Sequence, residues 1–293
     1  MIEQEEGRRP LRIAVAGATG RVGGALLESL SADPVELVAL TRSASGIATT
    51  DRLHAVQVDF DSSSTLFDAL KGTDRLFLAH GTSDRQVANE IALIDAAIAA
   101  GVSHIVKLSA MGPPTRLHPF DWHMQIEAYL AGRDVGYTVL RPSSFMDVLT
   151  RAKAPVVDGT WGGAAGDGPV NLIDRRDVAD VARIALLQER FASSQRAYHL
   201  TGPGSVTMPQ VADELSHLLG RAVTYQHRTA FDHRVHLMKA GSSEIVADLL
   251  LGLDLIFKEG ILSETTTTVG ELLGRPARSV STWLSENLHG FTR

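Results

Sequence analysis

Three glycines at three-residue spacing stand in the segment Gly17-Ala18-Thr19-Gly20-Arg21-Val22-Gly23. An apolar run (Leu11, Ile13, Val15) precedes them, and a helix-like run (Ala25, Leu26, Leu27, Leu30) follows. A strand that turns through glycines into a helix leaves backbone N–H groups and the positive end of the helix facing outward. Glycine also lets a phosphate come close to the main chain. The chemistry expected here is the binding of a pyrophosphate, and so of a dinucleotide, by Gly17, Thr19, Gly20, Arg21, Val22 and Gly23. Arg21, inside the turn, is expected to face the phosphates. An ordinary strand-to-helix turn carries glycines too; the place after a first strand and before a helix is what favours the dinucleotide.

A second position reads the kind of dinucleotide. A carboxylate at the end of the second strand accepts from ribose hydroxyls, whereas an arginine pairs with a 2′-phosphate. Here the run ends Leu40-Thr41-Arg42-Ser43, with no acid. Arg42 is either that phosphate partner or a solvated surface arginine; the first reading predicts NADP(H), with NAD(H) still possible.

Composition removes other chemistries. The 293 residues carry a net charge of −6 and no cysteine, which excludes disulfides and thiolate catalysis or ligation. The mild acidity gives no support for nucleic-acid binding. No apolar run reaches the ~20 residues of a membrane span, and the polar start from Met1 to Pro10 lacks an apolar signal core. The expectation is a cytoplasmic protein, monomer or homodimer. His233 and His236 share a helical face, yet no H-E-x-x-H pattern or carboxylate cluster accompanies them, so no metal is expected and a solvated face is the reading. No GxSxG nucleophile elbow occurs.

The elements that must position these groups follow from apolar patterning. Short runs at 35–41, 54–58, 76–78, 102–108 and 137–140 suit parallel strands buried on both faces. Between two of them, Val87, Ile91, Ile94 and Ile98 recur at helical spacing, and Gly101 stops the pattern. Alternation of this kind predicts an α/β fold, a doubly wound parallel Rossmann sheet over residues 1–155. After Pro142 the rhythm changes. Gly159 to Gly168 reads as a loop or hairpin tip, 177–187 as a helix, 198–200 as a short strand. Helices are expected over 208–219 (ending at Gly220), twice within 231–257, and at 280–288. Residues 156–293 are thus a smaller, α-rich C-terminal substrate lobe, interleaved with the sheet.

Several segments together resemble one family. Gly17-Ala-Thr-Gly-Arg-Val-Gly-Gly24, Gly101-Val-Ser-His-Ile-Val-Lys-Leu-Ser109 and Tyr137-Thr-Val-Leu-Arg-Pro142 are similar to the NmrA-like group of atypical short-chain dehydrogenases. So are Gly163-Ala-Ala-Gly-Asp-Gly168, Arg176-Asp-Val-Ala-Asp180 and Leu273-Gly-Arg-Pro276. The pattern looks nearest to the bacterial NAD(P)H:quinone oxidoreductase branch. The resemblance implies that Asp59 and Phe60 flank the adenine, although Asp59 is equally placed to cap the helix that follows. It implies that Ala79 and His80 pass beneath the ribose and nicotinamide. Ordinary short-chain dehydrogenases use Tyr-x-x-x-Lys as proton donor; here Tyr129 is followed at that spacing by Arg133, and the pair is absent. In isoflavone-reductase-like relatives a lysine lies fourteen residues ahead of the aromatic that begins the sixth strand, which is His123 in this chain. A histidine there can exchange a proton with a ring oxygen. Ser109, at the end of the fifth strand, is expected to orient that oxygen or to satisfy the loop at Met111-Gly112-Pro113-Pro114. Lys107 is expected at the sheet edge or the cofactor's rim. Trp122, Phe145, Met146 and Trp161 are candidates for a flat apolar wall, each equally suited to core packing.

The function expected is therefore NADP(H)-dependent reduction of a quinone-like or polycyclic aromatic carbonyl compound by direct hydride transfer. The alternatives are a tailoring oxygenase or reductase of aromatic polyketide biosynthesis, and a non-catalytic dinucleotide sensor.

Overall fold

The structure, a computed structural model, describes residues 9–43, 46–112, 120–192 and 194–292. His118, Pro113, Pro114 and most of the polar start lie outside them. The first half runs β1 (Leu11–Ala16), α1 (Arg21–Leu30), β2 (Val35–Thr41), β3 (Leu53–Gln57), α2 (Ser63–Leu70), β4 (Arg75–Leu78), α3 (Gln86–Ala99), β5 (His104–Leu108), α4 (Phe120–Ala131) and β6 (Gly136–Pro142). Then come β7 (Ser144–Phe145), a 3-10 helix (Met146–Ala152), α5 (Lys153–Val157), β8 (Gly162–Gly163), β9 (Val170–Ile173), α6 (Arg175–Leu187) and β10 (Gln195–Leu200). The chain closes with β11 (Ser205–Val206), α7 (Met208–Leu219), β12 (Gln226–His227), α8 (Ala230–Lys239), α9 (Glu244–Lys258), α10 (Thr268–Leu273) and α11 (Val280–Glu286).

A seven-stranded sheet has the order β10-β6-β5-β4-β1-β2-β3. The strands from β6 through β3 pair in parallel, as short runs buried on both faces require. The order reverses at β1, which lies between β2 and β4. That reversal opens a crevice at the carboxyl ends of β1 and β4, where doubly wound sheets take ligands. Leu26 and Leu30 of α1, and Leu93 and Ile94 of α3, are fully buried; they pin the helices whose ends face the crevice.

The residues fall into two compact units. One holds the chain to Ala110, Pro114–Arg141 and Val178–Tyr198; the other holds Met111–Pro113, Pro142–Asp177 and His199–Arg293. The second unit contains the sheet β11-β9-β7 and the pair β12-β8. Gly220 ends α7 with φ of +64°, in the left-handed region where glycine avoids a side-chain clash. The glycine-rich stretch around 159–168 is a loop, as one of the two readings had it, but one interrupted by a short strand rather than a hairpin tip. Gly162 and Gly163 form β8 and pair in parallel with Gln226 and His227. A Cβ on Gly163 would come within 2.8 Å of Asp254 Oδ2, so the absence of side chains is what lets the neighbours in.

Candidate functional site

The parallel register carries the glycine turn to the crevice. Val15 pairs with Phe77, so Gly17 lies beside Ala79 two residues further on. A Cβ on Gly17 would sit 2.8 Å from the Ala79 carbonyl oxygen, and Gly17 has φ of +73°. A Cβ on Gly23 would overlap the Gly17 carbonyl oxygen. The Gly20 N–H donates to Gly17 O at 2.8 Å, and Gly20 caps α1 without any side-chain hydrogen bond. No acidic residue occupies the first turn, so the free N–H groups of Arg21, Val22 and Gly23 present positive potential without local neutralisation. Thr19, Gly20 and Arg21 are exposed.

The same register places the other dinucleotide candidates at this end. Ala16 pairs with Leu40, which puts exposed Arg42 level with Ala18. Thr41 pairs with Gln57, which brings Asp59 level with Ser43. Asp59 accepts the Asp61 N–H at 2.9 Å, while Ser62 holds the cap position of α2. Phe60 meets the edge of the His80 ring, centroids 5.4 Å apart. His80 donates from Nδ1 to Gly81 O at 2.6 Å, and Nε2 lies 2.9 Å from the Asn89 amide nitrogen, so both ring nitrogens are engaged. A glycine cradle too tight for side chains, an open helix N-terminus and an exposed cation beyond β2 fit a dinucleotide.

One strand further, Leu78 pairs with Lys107, and Ser109 follows at the end of β5. Lys107 is fully buried, not at the sheet edge or an outer rim, because β5 is an interior strand. Its ammonium lies 2.8 Å from the carboxylate of Glu90 on α3, itself fully buried. The ammonium also donates to Leu108 O and lies 3.2 Å from Nδ1 of His123 on α4. Burial, and then the Lys107 charge, push the His123 pKa down to about 3. An ammonium offers only donors, so Nδ1 accepts and the ring proton resides on Nε2. With a pKa near 3 the His123 ring is neutral around pH 7, and Nε2–H is the donor it has left to offer.

Ser109 is buried, and its hydroxyl donates to Glu127. Arg141 Nε donates to the same carboxylate at 3.1 Å. The Ser109 proton is thus already placed, and only its oxygen lone pairs remain for a ligand.

The candidate wall is divided. Trp122 belongs to α4 in the sheet unit; Phe145, Met146 and Trp161 belong to the other. Within that second unit lies a cavity of about 190 Å³ whose lining includes Trp161 but neither Phe145 nor Met146. Met146 is fully buried at the start of the 3-10 helix. Trp161 meets Tyr225 edge to face, with centroids 5.2 Å apart. His233, read from the sequence as solvated, is 7% exposed and lines this cavity, because α8 packs against α9. Among the described residues, no three His, Asp or Glu converge as a metal site.

The model of an NAD(P)H-binding family matches residues 17–189, more than half of the chain. Quinone oxidoreductase 2 of Escherichia coli (strain K12) is 31% identical over 92% of this chain and 96% of its own length. A Streptomyces griseus enzyme, (4-alkanoyl-5-oxo-2,5-dihydrofuran-3-yl)methyl phosphate reductase, is 34% identical over 95% of this chain and 99% of its own. The crystal structure of the Escherichia coli NADPH-dependent quinone oxidoreductase with NADPH superposes with a TM-score of 0.85, at 28% identity, covering 94% of this chain and 99% of that one. The chain belongs to this NAD(P)H-binding family and is an NAD(P)H-dependent oxidoreductase.

Proposed function

We propose that the protein uses NADPH to reduce a quinone-like conjugated carbonyl compound. The observation that carries this reading is the fixed, neutral His123 beside Lys107. A bound NADPH would supply the hydride. Gly17 to Gly23 and the α1 terminus would hold the pyrophosphate, and Arg42 the 2′-phosphate. Asp59 and Phe60 would flank the adenine, with Ala79 and His80 beneath the ribose and nicotinamide. His123 Nε2–H would donate a hydrogen bond to the carbonyl oxygen as negative charge grows there. An imidazole that stays neutral across the physiological range holds no readily transferred proton, so the proton completing the reduction would come from water. That suffices when the anion is delocalised over a conjugated ring. The substrates named for the two relatives, a quinone and an alkanoyl-bearing unsaturated lactone, share such conjugation.

The test is NADPH oxidation against a panel of small quinones, wild type beside His123→Ala. We expect turnover with at least one quinone and a kcat lower by about 100- to 1000-fold in the variant, the range for loss of one oriented donor. Tight NADPH binding without turnover on any quinone would sink the substrate assignment.

A further inference from the structure

Exposed apolar side chains are concentrated on one helical pair. Of the nine large ones among the described residues, Phe231, Val235 and Met238 lie on α8, and Val246, Leu249 and Leu255 on α9. Phe231, Val235 and Met238 stand at i, i+4 and i+7, so they form one stripe along α8. His233 stands on the opposite side of the helix and is buried. The stripe is therefore the outer face of α8, and Phe231 at its start is 76% exposed. Apolar patches left open in this way mark interaction sites.

The charges beside the stripe indicate what covers it. Asp232 and Lys239 are seven residues apart, hence on the same flank of α8, the acid in its first turn and the base in its last. When two identical helices pack antiparallel across a two-fold axis, like flanks meet with their ends exchanged. Asp232 of each copy then comes opposite Lys239 of the other. A lipid surface would call for a basic polar face. Here Asp232, Glu244 and Asp248 offset Arg234 and Lys239, with Arg234 already 2.9 Å from Asp248. A ten-residue helix is only about 15 Å long, short of the roughly 800 Å² per partner that a stable dimer covers. Exposed Leu249 and Leu255 on α9, which packs against α8, extend the apolar area toward it.

We propose that α8 is the seam of a symmetric homodimer, two copies packing antiparallel through Phe231, Val235 and Met238, with Asp232 of each opposite Lys239 of the other.

The test is sedimentation equilibrium of the full-length protein over a range of loading concentrations. A reversible monomer–dimer equilibrium is the expected result. Phe231→Glu should weaken it by about 10-fold, as loss of a central aromatic anchor does. Asp232→Lys sets lysine against lysine and should weaken it by about fivefold, and adding Lys239→Asp should restore it to within about twofold of wild type. All three side chains are exposed, so circular dichroism should report an intact fold. A monomer at every concentration, a dimer untouched by Phe231→Glu, or a folded charge-reversed variant that does not regain association would each overturn the proposal. So would a monomer that co-sediments with phosphatidylcholine vesicles, since the stripe would then meet lipid. The measurement needs neither NADPH nor substrate, so its outcome is independent of the reduction proposed above.

Discussion

A histidine's chemistry is set by the group at its other nitrogen, and for His123 that group is Lys107, 3.2 Å from Nδ1. Glu90, fully buried like the lysine, sets a carboxylate 2.8 Å from its ammonium. Wild-type kcat/KM should therefore stay flat from about pH 5 to 8, since His123 titrates only near 3. The double change Glu90→Gln with Lys107→Met removes both charges together, so neither is stranded. His123 should then titrate above its wild-type position, though still below the ordinary range because burial is the larger cause, and the acid limb of the pH–rate profile should move upward. An acid limb unmoved from wild type in a folded double variant would remove Lys107 from the positioning role. Arg42 carries a separate prediction. Arg42→Asp should weaken NADPH binding by about 10- to 100-fold, the worth of a charge-assisted contact, and shift preference toward NADH. An unchanged affinity ratio would place Arg42 outside the site. The position of Arg42, just past the end of β2 and level with the glycine turn, was legible from the apolar run before it. The Lys107 environment was not: Glu90, seventeen positions earlier, becomes its neighbour only when α3 folds against the sheet.

The strand–turn–helix from β1 to α1 works because two backbones touch. Gly17 approaches the carbonyl of Ala79, and Gly23 approaches that of Gly17. Gly23→Ala should force the turn apart, lower the melting temperature and weaken NADPH binding by at least 10-fold. Gly24→Ala makes the control, since its Cβ would meet the Ala18 carbonyl oxygen at an ordinary 3.7 Å and alanine favours the helix. Calorimetry on both variants checks the pair; equal NADPH affinity would mean the close approach does not shape the site. Elements of this kind are readable wherever periodicity spans several residues. Residues 35–41, 208–219 and Gly220 appear where their patterns place them. The pair β8 and β12 escapes such reading, because two glycines form no pattern and their partner lies some sixty residues on. Trp161 was legible as an aromatic wall residue, but the Asp254 and His233 that share its cavity depend on α8 and α9 folding together.

Among the described residues, burial carries the pKa of three histidines down to about 3 or 4, and they fall in both units. His104 falls to a pKa of about 4, by burial and then the Arg75 charge. His123 falls to about 3 and His233 to about 4. Unfolded, each titrates near 6.5. Above that pH neither state binds a proton at these sites, and their native environments cost nothing. As pH falls below about 6.5, the unfolded chain takes up three protons that the folded chain refuses. Stability is therefore fully present above about 6.5 and drains away as pH falls toward 4, by up to about 1.4 kcal/mol per pH unit for each histidine. Moving from pH 7.5 to 5.5 should lower the melting temperature by on the order of 10 °C for a chain of this size. Most carboxylates titrate below this window, so the drop belongs to histidines. Both units should register it, the sheet unit through His104 and His123 and the other through His233. Scanning calorimetry at the two pH values checks the shift, and His104→Gln should reduce it by about a third. A melting temperature unchanged at pH 5.5, or a native His104 titrating near 6.5 by NMR, would show that these rings meet water in the folded protein.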